Sequence, residues 1–310
     1  SRGLIYNRFH TTALCSPTRA ALLTGRNHHA VGMGVVTDMA TGYPGYNSII
    51  PKSAATMAEV LRQNGYSTAM FGKHHNVPMW EMSPSGPFDR WPTGLGFDYF
   101  YGFIGGETNQ WRPALIRGTN RVSQPDTGRA DSVLDRFLAD DAIHWLHEQR
   151  ATAPDRPFFV YYAPGTAHAP HQAPRDWIDR FKGRFDGGWD TLREATVARQ
   201  KAAGIVPADT AAPPRPEGLP AWDSLPSGQK AVAARMMEVF AGMLAYQDAQ
   251  IGRVLDEIAR MGESDNTLVM FIEGDNGTSP EGGLNGTTNW SAAIGGAMQE
   301  DDTWLQSQIA

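Results

Sequence analysis

Three times along this chain a helical pattern of apolar residues is followed by a short unbroken apolar run. The first unit places Ala55, Met57, Ala58, Val60 and Leu61 in residues 53–64, closes at Gly65 and continues into the run 66–71. The second places Phe137, Leu138, Ile143, Trp145 and Leu146 in residues 135–148, ahead of the run 157–163 (PFFVYYA). The third extends from about residue 229 to 261, with Val239, Met243, Tyr246, Ile251, Val254, Leu255 and Ile258 on one face. Gly262 stops it, and the run 267–272 (TLVMFI) follows. Recurrence at spacings of three and four marks a helix that buries one face. Short continuous runs rich in β-branched and aromatic residues mark strands covered on both faces. Their alternation predicts an α/β fold with a mostly parallel central sheet flanked by helices.

Polar residues suited to chemistry stand just past each run. Gly72, Lys73, His74 and His75 follow the first; Pro164, His168 and His171 the second; Glu273, Gly274, Asp275, Asn276 and Gly277 the third. In open α/β sheets ligands bind beyond the carboxyl ends of the strands, so the three clusters are expected to converge on one site. Composition narrows the chemistry. At 310 residues there is chain enough for a large core. A net charge of −6 argues against a nucleic-acid binder led by phosphate contacts. No apolar run reaches the ~18 residues of a membrane span. The single cysteine, Cys15, excludes an internal disulfide framework and a cysteine-rich zinc site. It leaves the compartment open, cytoplasm or periplasm alike.

Cys15 opens a segment with its own logic, ALCSPTRAALLTGR. Ser16 suits a helix N-cap, Pro17 the first helical position and Gly25 the stop, so a short helix is expected from about Pro17 to Thr24. Cys15 then lies just before the helix N-terminus. There free N–H groups and the helix dipole favour anions and a reactive thiolate. A lone cysteine is equally suited to life as a small buried hydrophobe.

Cys15-Ser16-Pro17-Thr18-Arg19, followed by Thr24-Gly25-Arg26, resembles the signature of the type I, formylglycine-dependent sulfatases, within the alkaline phosphatase-like superfamily. Gly72-Lys73-His74-His75, Ala167-His168-Ala169-Pro170 and Gly274-Asp275-Asn276-Gly277 are similar to further segments of that family, in the same order. The likeness extends over essentially the whole chain and is nearest to bacterial arylsulfatases. It implies a sulfuric ester hydrolase that cleaves small-molecule sulfate esters. Cys15 would be oxidised to Cα-formylglycine by a formylglycine-generating enzyme, an implied partner. The hydrated aldehyde offers one hydroxyl to attack sulfur and a second to expel sulfate. By resemblance, Arg19 holds the hydrate and Lys73 clamps sulfate. His75 is the base for sulfate release, and His168 protonates the leaving oxygen. Asp275, Asn276 and position 15 bind one divalent metal, Ca²⁺ by the hardness of its oxygen donors, which activates the diol and polarises sulfate.

The family pattern also has parts this sequence does not match. An Asp pair on a first strand precedes the family's cysteine segment, and a substrate-binding Lys follows its Asp-Asn-Gly. Neither is found within these 310 residues. The expectation is a part of one catalytic domain, residues 1–310, without the first strand and the smaller C-terminal subdomain, and inactive by itself. Position 74 is His where an aromatic is usual, and His74 and His171 are kept out of the catalytic set. His28 and His29 are expected at the surface, and the aromatic-rich stretch 80–111 as packing beneath loops. Two alternatives stay open: a phosphonate monoester or phosphodiester hydrolase of the same superfamily, and a non-catalytic remnant.

Overall fold

The computed structural model describes residues 3–273, 283–289 and 300–308. The chain divides into two compact units, one of Thr11–His168 and Tyr246–Asn276, the other of Ser1–His10, Ala169–Ala245 and Gly277–Ala310.

The first unit begins with helix α1 (Cys15–Thr24) and continues with α2 (Met57–Gln63), β1 (Ser67–Lys73), β2 (Tyr99–Phe103), β3 (Ile116–Arg117), β4 (Asn120–Arg121), α3 (Leu134–Thr152) and β5 (Phe158–Ala163). The strands form one mixed sheet in the order β4-β3-β2-β1-β5. β1 lies parallel to β2 on one side and to β5 on the other, whereas β2–β3 and β3–β4 are antiparallel. Two of the three anticipated helix-strand units are therefore present, α2–β1 and α3–β5. β1 is buried along its whole length, as a continuous apolar run with cover on both faces should be. β5 stands at the edge of the described sheet and is mostly half-buried.

Each face of the sheet has its own core. On one, Phe71, Tyr101 and Phe103 pack with Phe137, Leu138, Trp145 and Leu146 of α3, and with Val254 and Ile258 further along the chain. Burying each large apolar side chain contributes ~1.5–3 kcal/mol, which fixes α3 to its predicted face. On the other, Leu23 of α1 and Ala58 of α2 pack with Met70, Trp91, Phe97 and Phe100. Much of the aromatic-rich stretch thus serves as packing, although Trp80 is 58% exposed.

Helix α4 (Arg175–Ile178) and α5 (Gly188–Ala202) belong to the second unit. There Ala173, Ile178, Val239 and Met243 form a small cluster. α6 (Ser227–Arg260) realises the third helical pattern, and α7 (Asp302–Ser307) follows. Among the described residues no helix is long and apolar enough to cross a membrane.

The third predicted strand does not form. Residues 267–272 carry no strand pairing, and Leu268, Val269, Met270, Phe271 and Ile272 are exposed, Leu268 by 82%. An apolar run becomes a strand only when a neighbour takes up its N–H and C=O groups, and none among the described residues does so. Helical periodicity is local to the segment; the ladder that a strand needs is not.

Candidate active site

α1 starts earlier than the capping pattern suggests. Leu14, in extended conformation, is the N-cap and offers no side-chain bond, so Cys15 sits in the first turn rather than before it. The Ser16 hydroxyl is turned away from capping and accepts the Thr37 N–H at 3.4 Å. At the other end Gly25 takes the left-handed conformation (φ 64°) that closes a helix.

The C-terminal end of β1 delivers the second group of residues. Gly72 has φ 105° and lies where a Cβ would come 2.0 Å from the Ala163 carbonyl oxygen, so only glycine lets β1 and β5 run together here. Beyond it Lys73, His74, His75 and Asn76 are all buried. Three hydrogen bonds fasten this stretch. The His74 N–H donates to the Phe103 carbonyl at 3.0 Å. The Asn76 amide donates to the Ser16 carbonyl at 2.9 Å. The Arg19 guanidinium donates to the Lys73 carbonyl at 2.7 Å. His75 itself adopts φ 54°, a left-handed conformation that costs a non-glycine residue of order 1–3 kcal/mol and persists only where its surroundings enforce it.

That backbone aims His75 at the cysteine. Cys15 Sγ and His75 Nδ1 are 3.0 Å apart, and His75 Nε2 is 3.3 Å from Asp38 Oδ2. On its own, burial would raise the Cys15 thiol. The hydrogen bond to His75, with the charges of Lys73, His75 and Arg19, outweighs it and brings the thiol down to about 6. Asp38 is held below the ordinary carboxylate range by its hydrogen bond to His75, against partial burial, with further help from His75, Lys73 and His168. His168 Nδ1 lies 3.7 Å from Glu107 Oε2. Cys15, Arg19, Lys73 and His75 therefore form one cluster, and the charge of His168 is felt by the same carboxylate, Asp38, that His75 contacts.

His74 and His75 are neighbours in sequence with opposite fates. Complete burial drives His74 down to about 3, with only a 3.4 Å contact to the Arg90 carbonyl in opposition. It is a neutral core residue. His28 and His29 are held locally, His28 by the Met33 carbonyl at 3.2 Å and His29 by the Tyr46 hydroxyl at 3.1 Å. His171 belongs to the other unit, where its ring meets Phe240 edge-on at 5.2 Å. Of the third polar cluster, Asp275 and Asn276 lie outside the described residues. Among the described residues no group of three His, Cys, Asp or Glu could hold a metal ion.

Three residues of the cluster escape the sequence reading. Asp38 lies in a single turn, Thr37–Met39, that carries no motif. Gly106 and Glu107 follow β2, whose aromatic run 99–103 reads as loop packing rather than as a strand. Had β2 been recognised, the rule that polar residues past a strand end build the site would have reached Glu107. Gly106 gives His75 its room, since a Cβ there would stand 2.8 Å from His75 Cε1.

A sequence model of the sulfatase family matches residues 1–307. An arylsulfatase of Klebsiella aerogenes is 33% identical over 297 residues, covering 91% of this chain and 60% of that protein. An uncharacterized sulfatase of Schizosaccharomyces pombe is 32% identical over 296 residues, covering 89% of this chain and 51% of that protein. The chain thus spans little more than half the length of the curated relatives it matches. Among solved structures, the sulfatase candidate YidJ of Bacteroides fragilis superposes with a TM-score of 0.57 at 15% identity, covering 84% of this chain and 51% of the other. A protein crystallised with its substrate D-glucosamine-2-N,6-O-disulfate superposes with a TM-score of 0.52 at 17% identity, covering 84% and 55%. At such identities the two structures speak for the fold.

Proposed function

The chain belongs to the sulfatase family, and from that premise we propose that it carries the catalytic cluster of a sulfuric ester hydrolase acting on small-molecule sulfate esters, an arylsulfatase. The observation that carries the reading is the contact of Cys15 with His75 at 3.0 Å, with the positive charges of Lys73 and Arg19 acting on it. Sulfatases generally use a formylglycine and a divalent metal. Here the residue oxidised to formylglycine is Cys15, and the formylglycine-generating enzyme is the partner that oxidises it. The position suits the modification, because an oxygen in place of Sγ would meet a ring nitrogen and positive charge.

A formylglycine at position 15 supplies, once hydrated, one hydroxyl to attack sulfur and a second to expel sulfate, so one hard displacement becomes two easier ones. The chain's own groups serve that chemistry. Lys73 faces position 15 and offers a positive charge to a sulfate oxygen, pre-placed where negative charge develops. Arg19 adds a second positive charge, and its bond to the Lys73 carbonyl holds α1 against the end of β1. His75 Nδ1 accepts a proton from position 15, within hydrogen-bond reach as a general base must be. His168 protonates the departing ester oxygen. Asp275 and Asn276, hard oxygen donors that suit Ca²⁺ better than Zn²⁺, are assigned with position 15 as the metal ligands.

Two expectations about the whole protein are part of this proposal. The chain is one portion of a single catalytic domain, and an Asp pair and a Lys from elsewhere in the full-length protein complete the site. The test is turnover of an aryl sulfate and of an aryl phosphonate by full-length protein produced with the formylglycine-generating enzyme. Preference for the sulfate supports the reading. Preference for the phosphonate, or turnover of neither by protein that carries formylglycine, refutes it.

A further inference from the structure

We infer that Asp38 is a positioning residue for this chemistry, its carboxylate holding the His75 ring in the tautomer that presents a bare Nδ1 to position 15. The inference rests on the reading of His75 as the base that serves position 15.

The argument starts from which atoms face which. His75 has one ring nitrogen on each partner: Nδ1 at 3.0 Å from Cys15 Sγ and Nε2 at 3.3 Å from Asp38 Oδ2. A neutral imidazole carries a single N–H, on one nitrogen or the other. An ionised carboxylate can only accept, so a neutral ring beside Asp38 keeps its hydrogen on Nε2. Nδ1 is then left as an acceptor, pointed at the residue from which a proton must be taken. Without Asp38 the hydrogen is free to move to Nδ1, and the ring becomes a donor toward position 15 when an acceptor is needed.

Other features of the site serve the same end. Asp38 is held ionised chiefly by its hydrogen bond to His75, and the charges of Lys73 and His168 add to that. The His75 side chain is only 3% exposed, so no bulk water competes for its nitrogens, while Asp38 is 49% exposed and can be replaced without opening the core. The main chain of Gly106 closes off the far edge of the ring, where a Cβ would stand 2.9 Å from Nε2. The left-handed backbone at His75 completes the restraint. The ring therefore has a fixed position, and the remaining freedom is where its hydrogen sits. Asp38 is the residue placed to decide that.

The experiment compares full-length, formylglycine-bearing wild type with Asp38→Glu, Asp38→Ala and Asp38→Asn. Rates on an aryl sulfate are divided by the formylglycine fraction found by mass spectrometry. Losing a carboxylate that orients a metal-ligating histidine costs about 10- to 100-fold in activity, and a comparable loss is expected where the histidine is a base. That loss is expected in kcat, with KM little changed, for Asp38→Ala. Asp38→Asn should fall further, because its amide can donate to Nε2 and so favours the wrong tautomer. Asp38→Glu keeps an acceptor and should retain most of the rate. The second readout is the ¹⁵N spectrum of His75 in selectively labelled protein. Wild type and Asp38→Glu should show the hydrogen on Nε2, and Asp38→Ala and Asp38→Asn should show it redistributed to Nδ1. An unchanged tautomer in Asp38→Asn overturns the inference, as does an unchanged kcat, or a loss confined to KM. Failure of wild type itself to hydrolyse sulfate would count against the proposed function, while the tautomer would still decide the role of Asp38.

Discussion

As encoded, position 15 is a thiol, and its surroundings can be read from its reactivity. Burial alone would raise that thiol above its ordinary 9.0, whereas His75, Lys73 and Arg19 bring it down to about 6. The rate consequence is smaller than the shift suggests. At pH 6 about half of Cys15 is thiolate against ~0.1% of an ordinary thiol, a gain of roughly 500-fold. A weaker base is also a weaker nucleophile: with a Brønsted slope of ~0.4–0.5 over three units, the intrinsic rate falls about 16- to 30-fold. The net advantage is about 20-fold at pH 6 and only about 4-fold at pH 7. The assay is iodoacetamide alkylation of the unconverted chain, made without the formylglycine-generating enzyme, across pH 4.5–9.5 with peptide readout. The expected midpoint is near 6, and His75→Gln should move it upward by removing the hydrogen bond and a neighbouring charge. A midpoint at or above 9 in the wild type would mean that burial wins. A midpoint unmoved by His75→Gln would mean that the 3.0 Å contact is not made. Either result refutes the electrostatic reasoning.

Further outcomes follow from neighbouring groups. Asp135 is fully buried, and burial raises its carboxyl from 3.8 to about 6 against the 2.7 Å bond from the Thr166 hydroxyl. The folded state then holds the proton longer than the unfolded one, so the contribution to stability is complete below pH 3.8 and is lost as pH rises through 6. The whole loss is roughly 3 kcal/mol, of which about 2 kcal/mol falls between pH 4.5 and 7.5, read by urea unfolding at those two values; the slope should vanish in Asp135→Asn, and parallel curves for the two proteins would contradict it. Gly72→Ala should cost about 3 kcal/mol or more, because both its left-handed backbone and the Ala163 carbonyl forbid a Cβ; an unchanged melting temperature would be inconsistent with the β1–β5 packing. Gly106→Ala should leave the fold intact but displace the His75 ring, lowering turnover by about 10- to 100-fold; full activity per formylglycine would show that the ring has room to spare.

What the sequence discloses about this fold is unequal in a physically sensible way. Helix faces follow from local periodicity: α3 carries Phe137, Leu138, Trp145 and Leu146 inward and α6 carries Met243, Tyr246, Val254 and Ile258 inward, whereas α2 buries only Ala58 of its expected face, with Val60 exposed, and Leu255 of α6 is exposed as well. The capping pattern of α1 gave the right helix with the wrong start, since Ser16 bonds to Thr37, a residue 21 positions away. β1 was evident because a strand buried on both faces is apolar throughout. β2 was not, because Tyr99–Phe103 sits in a longer aromatic stretch whose strand character appears only beside β1. The run 267–272 shows the reverse error, strand composition with no described partner. Cys15, Arg19, Lys73 and His75 could be picked out by motif and by position at helix and strand ends. Asp38, Gly106 and Glu107 could not, because what singles them out is contact with a histidine distant in sequence.

Mass spectrometry of the peptide containing residue 15, from full-length protein made in a host with an active formylglycine-generating enzyme, tests the catalytic reading most directly. An aldehyde or its hydrate at position 15 is the result expected of a residue that starts a sulfatase helix and faces His75, Lys73 and Arg19. An intact thiol throughout would contradict it and leave Cys15 as a reactive cysteine in a fold that has lost its chemistry.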